Sequence, residues 1–166
     1  MSLRPLILLS ALAALVCYGV LAFYTFRGLI PAAEGLWPFD LRVFGYDLAA
    51  AETYLAALGA PGRALIEGPI ATWDTAFPVA FAIFLALSCL SQGPGRLARI
   101  GALTALAYLA ADLAENAAIR RLVAGPVPPD PLAVSGASLL TQLKYAALAA
   151  TGALLLAARS VRGPRR

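Results

Sequence analysis

The sequence predicts an all-α integral membrane protein, a bundle of four membrane-spanning helices with a short amphipathic helix in the first extracytoplasmic loop. Three observations carry that prediction. Of 166 residues, 61% are hydrophobic and only 13% charged, with a mean hydropathy of +0.79, whereas a soluble domain carries about a quarter charged residues. A domain of this size still exposes much of its surface when folded, so this much apolar surface calls for lipid as its solvent. The charges are also clustered, with long Ala/Leu runs separating short groups of Arg, Asp and Glu. Four of those runs reach the roughly 20 residues that a helix needs to cross a hydrocarbon core about 30 Å thick.

The spans fall at about residues 5–26, 70–90, 97–119 and 133–158, so residues 1–166 read as a single membrane domain with one large outer loop, 27–69. The first run follows Arg4 as a signal peptide's would. It exceeds the roughly 7–15 apolar residues of a signal core, and Val16 before Cys17 does not suit a lipoprotein cleavage site. It is expected to be a retained helix. The outer loop opens with Pro31, Trp37, Pro38, Phe39 and Phe44, aromatic residues suited to a membrane interface. Asp47 then suits the cap of a helix carrying Leu48, Ala51, Leu55 and Leu58 at spacings of three and four, and Gly59 and Pro61 supply a stop. This segment is expected to lie on the membrane surface or to lid the outer mouth of the bundle. Pro78, near the start of the second span, marks a bend or a first turn.

The arginines orient the chain. Arg4, Arg96, Arg99, Arg159, Arg162, Arg165 and Arg166 flank the spans on one side without acidic company. Arg27, Arg42, Arg63, Arg120 and Arg121 lie on the other side, diluted by seven acids. The excess of uncompensated arginine expected on the cytoplasmic face puts both termini in the cytoplasm. The predicted location is a bacterial cytoplasmic (inner) membrane, since abundant Ala, Leu, Arg and Gly with a single Lys fits a GC-rich bacterial coding bias. A formal charge of +4 is then a matter of orientation and lipid anchoring, and no nucleic-acid partner is expected. The expected partners are membrane lipid and other membrane subunits or a second copy, because small residues four apart permit close helix approach. Three such pairs are Gly101 with Ala105, Ala107 with Ala111 and Ala149 with Ala153.

Residues 44–63, FGYDLAAAETYLAALGAPGR, resemble a pattern in a group of uncharacterised bacterial four-helix inner-membrane proteins, in which a Gly-Tyr pair precedes an amphipathic helix ending in Leu-Gly and Gly-Arg. The resemblance extends to Asp74, Phe77 and Pro78, to Asp112, Glu115 and Asn116, and to Thr141 with Lys144. It implies the four-helix architecture and supplies no activity.

The absence of histidine removes Ser-His-Asp chemistry and disfavours His-ligated haem, chlorophyll or zinc; no metal site is expected and the cofactor is left open. Cys17 and Cys89 fall at different depths and read as packing residues. No nucleophile motif or phosphate-binding loop stands out, since Gly93-Pro94-Gly95 lacks the Gly-Lys-Ser/Thr ending. Ionisable residues inside spans are the remaining candidates, because they are costly there. Asp112, Glu115 and Asn116 share one face of the third span with Tyr108. The fourth span carries Ser138, Thr141, Gln142, Lys144 and Tyr145, and Asp74 enters from the second. At 1.5 Å per residue the third- and fourth-span groups lie roughly 6 to 14 Å below the outer boundary. Three functions remain open for them. One is a structural ion pair of Asp112 or Glu115 with Lys144, joined by Asn116 and Gln142. Another is a polar pocket for a lipid or quinone headgroup, a proton or a cation. The last is acid–base catalysis on a lipid-linked substrate. No residue is singled out as catalytic.

Overall fold

A computed structural model describes residues 3–161; the predicted C-terminal anchor residues Arg162, Arg165 and Arg166 lie outside the described residues. Four helices are long and apolar enough to cross a membrane: α1, Arg4–Ala32; α3, Ala60–Leu90; α4, Arg96–Ala124; and α5, Pro131–Val161. Between the first two lies α2, Leu48–Ala57. The remainder among the described residues is turn, loop and one short 3-10 turn, Phe39–Leu41.

Each helix boundary follows local rules. Pro5 sits in the first turn of α1, where a missing N–H costs nothing. α1 widens into a π-helical turn at Thr25–Leu29 and stops before Glu34 and Gly35, whose φ values of 55° and 86° leave the right-handed region. The Asp47 carboxylate accepts the Ala50 amide at 2.8 Å and caps α2. Asp130 caps α5 in the same way, accepting the amides of Leu132 and Ala133.

The helices outrun the predicted spans, and the second does so most. Gly59 and Pro61, taken from the sequence as a stop, are the cap and first turn of α3. The helix then runs through Pro69 by opening a wide turn at Ile66–Ile70 and kinking at Gly68, whose φ and ψ are −101° and −105°. Proline lacks the N–H that a regular turn would use, and the wide turn absorbs that loss. A helix start near residue 70 was therefore a bend, ten residues into a longer helix. At 1.5 Å per residue these 29- to 31-residue helices are about 44–47 Å long. Their extra length places Asp74, Asp112 and Lys144 within about one turn of the midpoints of α3, α4 and α5, deeper than the spans implied.

Packing follows chain order: α1 lies against α3, α3 against α4 and α4 against α5, with a lighter contact of α3 on α5. The row does not close tightly between α1 and α5. Small side chains set the close approaches. A methyl at Gly101 would come within 2.8 Å of the Cys89 sulfur of α3, and one turn on, Thr151 donates to Thr104 at 2.9 Å. Gly101 and Ala105 are thus interior, whereas Ala149 and Ala153 face outward. Both cysteines are buried and free.

The segment from 36 to 47, whose aromatic residues suit a membrane interface, is only partly at the surface. Trp37 and Phe44 are 55% and 97% exposed, but the chain descends between the helices at Phe39, which is 1% exposed and stacks on Tyr46 with ring centres 4.5 Å apart. Tyr54 of α2, also 1% exposed, meets the Phe39 edge at 4.7 Å. The Arg42 guanidinium lies 5.6 Å from the Phe39 and Tyr54 ring centres and donates twice to the Trp37 carbonyl. Two bonds to α5 pin the descent. Ser138 accepts the Tyr46 amide at 2.8 Å, and two turns deeper Tyr145 donates to the Asp40 carbonyl at 3.0 Å. Irregular backbone among apolar helices is tolerated where protein or a cavity satisfies it, and these bonds meet that demand. At the tightest point Gly45, with φ of 83°, passes so close to α5 that a Cβ would strike Ser138 and Gln142. Arg63 then locks the top of the assembly, donating to the carbonyls of Leu55 and Val123.

The Gly101 contact predicts non-additivity. Gly101→Ala is expected to destabilise the protein by about 1–3 kcal/mol, the usual cost of overpacking. Adding Cys89→Ala, which removes the struck sulfur, should recover part of that loss. Thermal unfolding of the two single variants and the double variant in detergent measures the coupling, and strict additivity would refute the close approach.

Candidate functional site

The cluster forms because α4 and α5 are antiparallel neighbours and each presents one polar stripe inward. On α4, Tyr108, Asp112, Glu115 and Asn116 are all buried, at 3%, 4%, 0% and 2% exposure. On α5, Thr141 and Lys144 are likewise buried. Lys144 forms an ion pair with Glu115 and a second, longer one with Asp112 at 3.4 Å. The other carboxylate oxygens are also engaged. Tyr108 donates to Asp112 at 2.6 Å, and Thr141 donates to Glu115, its hydroxyl also lying 3.2 Å from the Ala137 carbonyl of its own helix. Asn116 reaches across to α3, its amide donating to the Asp74 backbone carbonyl at 2.7 Å.

Of the residues selected from sequence, Tyr108, Asp112, Glu115, Asn116, Thr141 and Lys144 come together, and Asp74 faces them across a cleft. Gln142 does not join. It is exposed, bonds back to the Ser138 carbonyl of its own helix at 3.4 Å and packs against Gly45. One step along the helix from Thr141, it points away from the α4 interface and supports the descending loop instead.

Tyr145, noted on the fourth span, joins the site with Asp40, Tyr54 and Arg120, which were not selected from sequence. Asp40 lies in the loop, so a search for charges within spans passes over it. The only hint was an acid placed between Phe39 and Leu41 in an otherwise apolar stretch. Burial pushes the Asp40 carboxyl above its ordinary range, an effect opposed in part by the Lys144 charge. Burial likewise pushes the Tyr54 phenol up, with Asp40 reinforcing the shift.

These groups line a cleft of about 570 Å³, within the roughly 300–1,000 Å³ of ordinary small-molecule sites. Its walls are mostly apolar. α1 contributes Ala11, Leu15, Tyr18 and Ala22, and α3 contributes Phe77, Phe81 and Phe84. The lining of α1 extends from Ala11 to Leu29, about 27 Å of helix. The polar groups gather toward one end, where Asp40, Asp74, Asp112, Asn116, Arg120 and Lys144 converge. Two of the lining residues, Tyr54 and Asn116, each hold a buried oxygen, Oη and Oδ1, with no hydrogen-bond partner. Among the described residues no group of three His, Cys, Asp or Glu side chains has the arrangement of a metal site.

No family model, curated protein or solved structure matches the chain. The site's chemistry therefore rests on its own geometry. That geometry offers a long apolar channel that ends in carboxyl groups, an unpaired amide oxygen, an unpaired phenol and one ion-paired lysine.

Two predictions follow from this arrangement. Lys144→Met leaves Glu115 and Asp112 without their cation and is expected to cost about 3–5 kcal/mol, as for breaking a buried ion pair. Lys144→Met with Glu115→Gln should lose less than Lys144→Met alone; equal losses in chemical unfolding would show that the pair is not coupled. For Asp40 the sign follows from its raised folded pKa. The folded state binds the proton more tightly than the unfolded state does, so this group lowers stability as pH rises from about 4 through the raised value. The stability gained by Asp40→Asn should therefore grow with pH across that window and then level off. Melting curves of both proteins, freed of lipid, at a series of pH values check this, and a gain that shrinks as pH rises would contradict it.

Proposed function

We propose that this chain is a multi-pass membrane protein that binds one amphiphilic molecule, with the apolar chain in the cleft between α1 and α5 and the head at the Asp40–Asp74–Asp112–Lys144 end. The observation that carries the proposal is the cleft itself. Its apolar walls and clustered polar end match an amphiphile in shape and in chemistry, and binding sites of this kind combine apolar lining with a few placed polar groups. The loose edge between α1 and α5 supplies a route from the surrounding lipid. The arginines support an orientation with both termini cytoplasmic in a bacterial inner membrane, which puts α2 and the descending loop on the outer side. A lipid- or quinone-binding component of a larger membrane assembly is consistent with the outward-facing Ala149 and Ala153 on α5, which leave a small-residue stripe for another helix.

Native mass spectrometry of the protein purified in mild detergent tests the proposal. A single amphiphile of defined mass should remain bound at one per chain. Ala11→Trp and Ala22→Trp, which fill the channel from α1, should each reduce that occupancy about tenfold or more, the effect of losing roughly 1.4 kcal/mol of binding, and leave the helical circular-dichroism signal unchanged. A wild-type chain that carries no small molecule after gentle extraction and takes none from added lipid would end the proposal.

A further inference from the structure

We propose that the polar end of the cleft recognises a protonated amine, so that the ligand is an amphiphile with an ammonium head seated between Asp40 and Asp74. This rests on the amphiphile-binding proposal and goes on to specify the head.

The first argument is charge. The cleft lining holds three carboxylates, those of Asp40, Asp74 and Asp112, against the cations of Arg120 and Lys144. Lys144 is already shared by Asp112 and by Glu115 behind it. Asp40 and Asp74 have no ion pair among the described residues. An anionic head would meet two carboxyl groups that have no ion-pair partner among the described residues and offer it no positive charge.

The second argument is hydrogen-bonding polarity, and it is independent of charge. Tyr54 and Asn116 line the cleft at 1% and 2% exposure, and each has a buried oxygen with no partner. The Asn116 amide orientation is fixed by chemistry. Its nitrogen meets the Asp74 carbonyl, which can only accept, so the free end must be the acceptor Oδ1. The head of the site therefore presents mainly acceptors: two carboxyl groups and the Asn116 carbonyl oxygen, beside the Tyr54 phenol, which can donate or accept. An ammonium offers three donors and no acceptor and satisfies this set. A quinone head offers only acceptor oxygens, and these would find no donor in Asn116 Oδ1.

The third argument is the aromatic lining next to the head. Tyr18 packs on Phe77 at 5.7 Å and Phe77 stacks on Phe81 at 5.4 Å. All three line the cleft, and ring faces attract ammonium groups and the methylenes beside them.

Two ligand sources share this chemistry: a simple long-chain amine and a phospholipid whose head ends in an amine. Arg120, at the same end of the cleft and without an ion pair among the described residues, would meet the phosphate of the second. The experiment loads delipidated full-length protein, in detergent, with hexadecylamine, hexadecanol, palmitic acid, phosphatidylethanolamine or phosphatidylglycerol, and reads occupancy by native mass spectrometry. Binding of hexadecylamine or phosphatidylethanolamine at least tenfold tighter than that of the alcohol, the acid and phosphatidylglycerol is expected. Tight binding of phosphatidylethanolamine alone would assign the phospholipid source, and tight binding of hexadecylamine the simple amine. Asp40→Asn and Asp74→Asn should each weaken amine binding about tenfold or more, since a buried charge pair is broken, whereas Asp74→Glu should retain most of it. If hexadecanol or palmitic acid binds as tightly as the amine, or if both Asn variants bind the amine like wild type, the amine proposal is overturned while the cleft remains an amphiphile site. If no probe binds at all, both proposals fall together.

Discussion

The buried ammonium of Lys144 is the constraint around which the inner half of this structure is arranged. It is the chain's single lysine, 7% exposed, near the midpoint of a helix long enough to cross a membrane. A lone charge in such surroundings would be prohibitive, and its neutralisation draws on side chains of α4. Glu115 and Asp112 supply the charge, and Thr141 and Tyr108 occupy the remaining carboxylate oxygens. Those contacts fix the rotation of α4 against α5. With the rotation fixed, Asn116 is turned toward α3 and Tyr145 toward the descending loop. Helix packing and site geometry are thus consequences of a single neutralisation.

The loop completes what the helices leave open. Because the packing order of the long helices follows the chain and stays loose between its first and last members, a cleft remains along α1. The segment from 36 to 47 fills only the upper part of it. Phe39, Tyr46, Tyr54 and Arg42 form a compact plug in which rings stack and a guanidinium caps them. Below the plug the cleft is left as a channel, and Asp40 is the plug's one acid at that boundary. Binding energy for an apolar chain would come from the channel walls, and selectivity from the groups around Asp40 and Asp74.

The four long helices were legible because each apolar run alone exceeds the membrane requirement, and no other property of the sequence competes with that signal. The α4–α5 polar cluster was legible for a related reason. Charges at three- and four-residue spacing inside such runs are costly, so Asp112, Glu115 and Lys144 stand out. Gln142 shows where that reasoning stops, since a difference of one residue on a helix turns a side chain by about 100° and neighbouring polar residues serve different faces. The descending loop was hidden because an aromatic stretch with proline looks the same whether it lies at a lipid interface or inside protein. Phe39 and Phe44 illustrate the ambiguity: five residues apart and identical in kind, one is 1% exposed and the other 97%. Gly59 and Pro61 misled for another reason. Their usual meaning is a break, and here they begin a helix that runs on through Pro69 by a wide turn.

The short connection between α4 and α5, residues 125–130, bears on how helices of this length and hydropathy would enter a bilayer. A helical hairpin can enter a bilayer as a unit. Asp112, Glu115 and Lys144 all belong to this one hairpin, so the lysine can meet its counter-ions before either helix meets hydrocarbon. The order of residues along the chain thus lets the buried ammonium reach an apolar medium already paired.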